Sequence, residues 1–236
     1  MGSPPHQANL TSCPVPPPVD GLSPAGRLHP SNDLCVIGIT GTNGKTTVAH
    51  LIEQTLTAAG HNCFVLGTLN SGDSGLSTPE AGDICAFMTA HLARGGTHFV
   101  MEVTSEGIDQ GRVSGIDFDL KLLTNITRDH LDYHKTFGNY KRTKLAFMHE
   151  GDACKIFPET FENEPAEFST RLLGEFNRSN MKAAACALRN LGISQHQIFR
   201  TLTSCPSPRG RLEQLVLGQP FMVLIDYAHT PDPLLN

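Results

Sequence analysis

Between residues 34 and 225 short apolar runs alternate with longer stretches that are apolar on one helical face, which predicts strands and helices in turn. "LCVIGI" (34–39) reads as a buried strand. "GKTTVAHLIEQTLTAAG" (44–60) follows as a helix, with Val48, Leu51, Ile52, Leu56 and Ala59 at helical spacing. The alternation continues with strands at "NCFVLG" (62–67), "THFVMEV" (97–103) and "FDLKLLTN" (118–125), and helices at 81–95 and Phe137–Met148. Strands alternating with helices predict an α/β fold, a mostly parallel sheet with helices on both faces. Residues 150–172 are polar and weakly patterned. "NRSNMKAAACALRNLG" (177–192) then predicts a helix stopped by Gly192, and "LEQLVLGQPFMVLIDYAH" (212–229) a hairpin turning at 218–220.

Composition changes this picture mainly at the ends. Residues 1–33 hold eight of the sixteen prolines and one basic residue, so they are expected to be an extended or disordered leader. A 236-residue chain that is 39% hydrophobic and 17% charged has room for a substantial core. A formal net charge of -5 gives no basic footprint for nucleic acid or anionic lipid. The seven cysteines stand at least 19 residues apart, without zinc spacing, and suit free thiols in a reducing cytoplasm. No apolar stretch reaches the length of about 18 to 20 residues that a membrane-spanning helix needs.

The chemistry concentrates where predicted strands end. In "GTNGKTT" (41–47), Gly41 and Gly44 allow the backbone to turn so that several N–H groups converge on one anion. The helix that begins there adds the positive end of its dipole. Lys45 is placed to reach the β- and γ-phosphates of a nucleotide, and Thr46 offers a hydroxyl to Mg²⁺. Ile39 stands where the longer Walker pattern wants glycine, so the match is to a shorter G-x-x-G-K-T form. The competing interpretation is a plain glycine turn with an exposed lysine; nucleotide binding fits the strand–turn–helix context better.

Glu102 lies near the carboxyl end of the next strand, and Asn125, Asp129, His130, Asp132 and His134 crowd the turn after the following one. Open parallel sheets hold ligands at that edge. Carboxylates with one histidine beside a phosphate site suit Mg²⁺. By themselves Glu102 reads as a surface carboxylate, "TNITRDHLDYH" (124–134) as a solvated charged loop, and Lys144 as a helix-surface lysine.

Taken together, "GITGTNGKTT", "MEVTSEGIDQGRV", "TNITRDHLDYH" with "KRTKLAF", "GEFNRSNMKAAA", "PRGRLE" and "DYAHTPD" resemble, in order, the motifs of the Mur ligases, most closely the MurE-type UDP-N-acetylmuramoyl-tripeptide synthetases. The resemblance covers about residues 34 to 236. It implies a P-loop central domain that uses ATP and Mg²⁺ to activate a carboxylate of the UDP-N-acetylmuramoyl peptide as an acyl phosphate, which the amine of an amino acid then attacks. It implies that Gly41, Thr42, Asn43, Gly44, Lys45, Thr46 and Thr47 cradle the phosphates, and that Thr46, Glu102 and His130 hold magnesium. Lys45, His130 and Lys144 become the catalytic set, Lys144 matching a lysine that the family carbamylates. Asn180 matches the residue that reads adenine, Arg211 a phosphate-side arginine, and Asp226 the acceptor for the ribose hydroxyls, with His229 beside it. Ser77, Thr78, Thr104, Gln110 and Arg112 match positions that hold the sugar peptide.

The sequence departs from the family pattern in several places. A proline-rich leader (1–33) stands where a uridine-gripping domain is expected, and residues 226–236 read as a hinge and the start of a further domain. The short polar segment after Lys144 predicts a central sheet stripped of some strands. Glu106 occupies a position where the family commonly has histidine, which puts negative charge beside an anionic substrate. Three functional expectations follow: a ligase central domain in peptidoglycan precursor synthesis, a Mur-like nucleotide-binding module that acts through a partner, or an unrelated P-loop phosphotransferase.

Overall fold

A computed structural model describes residues 33–71, 75–163 and 170–228. The proline-rich leader, apart from Asp33, and the segment from His229 onward lie outside the described residues. In chain order the elements are β1 (Cys35–Thr40), α1 (Lys45–Ala58), β2 (Cys63–Leu66), α2 (Ala81–Ala93), β3 (His98–Glu102), α3 (Ser105–Asp109), β4 (Leu120–Leu123) and α4 (Leu131–His134). There follow α5 (Phe137–His149), β5 (Cys154–Ile156), α6 (Pro158–Glu162), α7 (Phe176–Asn190), α8 (Gln195–Ser204), β6 (Glu213–Leu215) and β7 (Val223–Ile225).

Strands β1 to β5 form one sheet in the order β2-β3-β1-β4-β5, and every pairing is parallel. The near-continuous apolar character of β1 follows, because both faces of the sheet are covered. Ile37 and Ile39 of β1, Val100 of β3, and Leu120 and Leu122 of β4 point to one face, where Val48, Leu51, Ile52 and Leu56 of α1 pack with Met181 and Ala183–Ala185 of α7. Val36, Phe99, Met101 and Leu123 point to the other, against Ile84 and Met88 of α2 and Phe147 and Met148 of α5. The run of alanines in α7 keeps its buried side thin, so that helix and α1 lie close over the sheet.

The weakly patterned stretch 150–172 does contain regular structure: β5 extends the sheet alongside β4, with Cys154 opposite Leu120 and Ile156 opposite Leu122, and α6 buries Phe161. A three-residue edge strand has too few positions to display a period, which is why the pattern hid it. The expected hairpin is present as the antiparallel pair β6 and β7, and Val216, Leu217, Phe221 and Met222 in the connection between them are exposed.

Lys121, on β4, is buried, and its Nζ donates to the carbonyls of Phe147 and Glu150 at 2.9 and 2.8 Å. The ammonium therefore caps the carboxyl end of α5, where helix carbonyls lack intrahelical donors.

Candidate phosphate-binding site at the carboxyl edge of the sheet

β1 occupies the centre of the sheet, and the chain crosses from one side of it to the other between β3 and β4. The carboxyl ends of β3, β1 and β4 are therefore neighbours, as the pairings Ile39 to Glu102 and Thr40 to Leu123 record. Such a crossover is where open α/β sheets form ligand crevices.

The loop after β1 is built for an anion. Gly41 and Gly44 have φ of 144° and 86°, and a Cβ at either would strike Thr124 or Asn180 respectively. Gly44 caps α1 without any side-chain hydrogen bond, and the first helical bond runs from Val48 N to Gly44 O. The amides of Lys45, Thr46 and Thr47 thus have no intrahelical acceptor and sit at the positive end of the dipole. By contrast, Thr104, Thr136 and Ser194 cap α3, α5 and α8 with their side chains.

The loop is clamped from the β4 side. Thr42 N donates to Asn125 O at 2.9 Å, Asn43 N to Asn125 Oδ1 at 3.0 Å, and Thr124 Oγ1 to Asn43 O at 2.7 Å. Thr42 Oγ1 also accepts from Thr127 N and lies 2.8 Å from the phenol oxygen of the fully buried Tyr140. Lys45 Nζ arches back to donate to Gly41 O and Thr42 O, both at 2.8 Å. Burial pulls the Lys45 pKa down, while Glu102 pulls it up.

Glu102 is 1% exposed rather than on the surface, and Thr68 holds both its oxygens: Oε1 accepts from the backbone N at 3.0 Å and Oε2 from the hydroxyl at 3.1 Å. His130 follows β4 in a left-handed conformation with φ 51°. Its Nδ1 is 2.6 Å from Glu106 Oε1, its backbone N donates to Asp129 Oδ1 at 2.9 Å, and its ring stacks on Tyr140 with centroids 6.0 Å apart. Burial acts to raise the Glu106 pKa, but hydrogen bonds from His130, its own backbone and Ser105 hold it at about 2. The same bond from Glu106 raises the pKa of His130.

Lys144 is buried, not on the helix surface. Its Nζ donates to Thr40 Oγ1 at 3.3 Å and lies 4.9 Å from the Tyr140 ring centroid. Burial, and then the nearby Lys45 charge, drive its pKa well below the ordinary lysine value. Such desolvation shifts the balance toward the neutral amine.

The remaining candidates fall into two groups. Arg211 reaches from the turn before β6 to donate to Thr46 Oγ1 at 3.1 Å, and it stacks 5.0 Å from the Tyr227 ring. Asp226 braces that region, its oxygens accepting from Leu212 N at 2.7 Å and Ala228 N at 2.6 Å. Asn180 sits against Gly44 and donates to Asn177 Oδ1 at 2.9 Å. On the β3 side, Thr78 Oγ1 donates to Glu102 O at 2.9 Å and accepts from Thr104 N at 2.9 Å. Ser77 Oγ lies 2.9 Å from Thr68 Oγ1. Arg112 donates to Thr78 O at 2.8 Å, pairs with Glu80 at 3.2 Å and donates to the Gln110 side-chain oxygen. Gln110 in turn donates to Tyr133 at 3.2 Å. His229 lies outside the described residues.

Tyr140, Thr68 and the pairing of Glu106 with His130 escape a reading of the sequence. Tyr140 looks like ordinary core, and the Glu106–His130 contact joins residues 24 positions apart that only the crossover brings together. The donor types suit Mg²⁺, since Glu102 is a carboxylate and Thr46 a hydroxyl, both hard oxygen donors. Among the described residues no three His, Cys, Asp or Glu side chains form a cage of their own. Mg²⁺ is usually held by one or two carboxylates, with phosphate oxygens and waters completing its octahedron.

A central parallel strand, a glycine turn with its lysine at the start of α1, and Glu102 at the end of the neighbouring strand define an α/β domain of the P-loop kind. The Mur ligase middle domain pattern matches residues 39–157, and the chain belongs to that family. It is 34% identical to the UDP-N-acetylmuramoyl-L-alanyl-D-glutamate--2,6-diaminopimelate ligase of Pseudomonas aeruginosa, with 89% of this chain and 54% of that protein covered. It is 33% identical to the ligase of the same name from Halalkalibacterium halodurans, over 88% and 54%. A solved structure of such a ligase superposes with a TM-score of 0.69 at 25% identity, covering 86% of this chain and 53% of that one. The chain spans about half the length of the curated relatives it matches.

Proposed function

We propose that this chain is the ATP-binding central part, residues 34–225, of a cytoplasmic ligase. The ligase adds an amino acid to UDP-N-acetylmuramoyl-L-alanyl-D-glutamate in peptidoglycan precursor synthesis. The observation that carries the proposal is the uncapped Gly44–Lys45 turn at the end of the central strand, with Glu102 and His130 delivered beside it by the two adjacent strands. The relatives' names supply the substrate and the class of reaction.

In this reading the amides of Lys45, Thr46 and Thr47 bind the β- and γ-phosphates, and Lys45 exchanges its loop carbonyls for phosphate oxygens. Thr46, Glu102 and His130 would hold Mg²⁺, which supplies charge neutralisation for the transferred phosphoryl group. Asn180, Arg211 and Asp226 line the nucleoside side. Ser77, Thr78, Thr104, Gln110 and Arg112 line the sugar-peptide side. Thr78 and Thr104 do so mainly by fixing backbone, since their hydroxyls bond to each other. The amine of Lys144, in its neutral form, adds to CO₂: the N–C bond forms, one N–H proton leaves to solvent, and the resulting carbamate is an anion able to orient the acyl phosphate. Catalysis is then positioning and charge neutralisation, without a protein nucleophile.

ADP release by this chain, measured with the UDP-muramoyl dipeptide and a panel of amino acids, tests the reading. Amino-acid-dependent release supports ligase function. ATP binding without such release identifies a nucleotide-binding module that depends on a protein partner. Failure to bind ATP overturns both.

A further inference from the structure

We propose that Glu106 is a positioning residue that fixes the orientation of the His130 imidazole, engaging Nδ1 and leaving Nε2 as the nitrogen available to a ligand. Glu106 lies in the first turn of α3, directly after β3, while His130 follows β4 on the far side of β1. Their 2.6 Å contact therefore bridges the crevice between the two strand ends.

Three independent restraints meet on His130. Asp129 Oδ1 accepts from its backbone N, the Tyr140 ring stacks on its face, and Glu106 Oε1 takes Nδ1. Its left-handed φ of 51° is costly for a residue other than glycine and persists where surroundings over-determine it. Glu106 is itself anchored, accepting from Ser105 Oγ at 3.2 Å, so the carboxylate is not a free surface group that happens to lie nearby. The other imidazole nitrogen, Nε2, is 3.8 Å from Asp129 Oδ2, beyond hydrogen-bonding distance. A histidine whose one nitrogen is tied to a carboxylate presents its other lone pair in a fixed direction. That arrangement raises the basicity and the directional precision of a metal or phosphate contact.

The orientation itself stands on geometry alone; its use toward Mg²⁺–nucleotide rests on the function proposed above. The test has two arms. In the first, long-range ¹H–¹⁵N spectra of the His130 ring are recorded without metal, in alkaline buffer where the imidazole is neutral. The wild type is expected to carry its proton on Nδ1. Glu106→Gln, which keeps an acceptor oxygen, retains that tautomer, and Glu106→Ala loses it. In the second, Mn²⁺ affinity is measured by electron paramagnetic resonance with a non-hydrolysable ATP analogue. Glu106→Ala is expected to weaken it by roughly tenfold, and Glu106→Gln by less.

If Glu106→Ala changes neither the tautomer nor the Mn²⁺ affinity, the proposal is overturned. If the tautomer shifts but the wild type does not bind Mn²⁺–nucleotide, the positioning role holds and the proposed function fails instead. Glu106→Gln, nearly isosteric, guards against loss of signal through misfolding of the alanine variant.

Discussion

The hydroxyl of Thr42 and the phenol oxygen of Tyr140 lie 2.8 Å apart, which ties the glycine turn after β1 to helix α5. Through Tyr140 the loop is joined to His130, stacked on one side, and to Lys144, whose amine lies 4.9 Å from the ring centroid. One buried phenol thus sets the spacing of the three groups on which the proposed chemistry depends.

Tyr140→Phe keeps the ring and deletes the bond to Thr42. Thr42 retains Thr127 as a partner, so the expected loss of stability is about 1 kcal/mol. Nucleotide affinity is expected to fall as the loop loosens, whereas the fold persists. Urea unfolding and calorimetric titration with an ATP analogue, run on the same preparation, separate the two effects; unchanged affinity would show that Tyr140 is packing alone.

Lys144 gives the stability a pH dependence of defined sign. Its folded pKa is depressed well below the unfolded value of about 10.4, chiefly by burial. Between those two values the unfolded chain binds the extra proton, so stability rises with pH across that window. Below the folded pKa the full cost of charging the buried amine is paid. Lys144→Met is expected to flatten that rise and to be no less stable than wild type at neutral pH, because an apolar chain of similar volume replaces a poorly solvated amine. Denaturation midpoints measured from neutral to alkaline pH check this, and parallel curves for the two proteins would refute it.

Arg211 approaches the P-loop from a residue 165 positions away, at 3.1 Å from Thr46 Oγ1. Arg211→Ala should lower ATP-analogue affinity by about tenfold or more, the scale of one charge-assisted hydrogen bond. Because the turn before β6 is also braced by Asp226, the substitution should leave the thermal midpoint nearly unchanged. A drop in stability without a drop in affinity would make Arg211 a hairpin anchor instead.

Lys121 is a structural lysine and should behave differently. Lys121→Met leaves the carbonyls of Phe147 and Glu150 without their donor, at an expected cost of about 1.5 to 3 kcal/mol. Amide exchange in the last turn of α5 is expected to accelerate. Unaltered exchange there would mean that the cap is not needed.

The sequence was most legible where elements are long and punctuated. Helices α1 and α7 show full turns of periodic burial between glycines, and β1, β3 and β4 stand out as apolar runs because both their faces are covered. Helices α3, α4 and α6 and strand β5, of three to five residues, carry no measurable period. Helix α8 is marked in the sequence by Ser194 as a cap, followed by Ile198 and Leu202 four residues apart. At the site, the loop residues could be read from local spacing because a helix N-terminus is a local device. Burial could not: Glu102 and Lys144 resemble surface charges until the sheet and α5 close over them. The Glu106–His130 pair depends on the strand order, which no local pattern encodes.

The central claim is that the turn from Gly41 to Thr47 binds the phosphates of ATP, with Lys45 as its cation. Calorimetric titration of a non-hydrolysable ATP analogue in the presence of Mg²⁺, into the wild type and Lys45→Ala, tests it most directly. The account predicts saturable binding by the wild type and a loss of at least roughly tenfold in the variant, the worth of one charge-assisted contact. Equal affinity in the two proteins would contradict it.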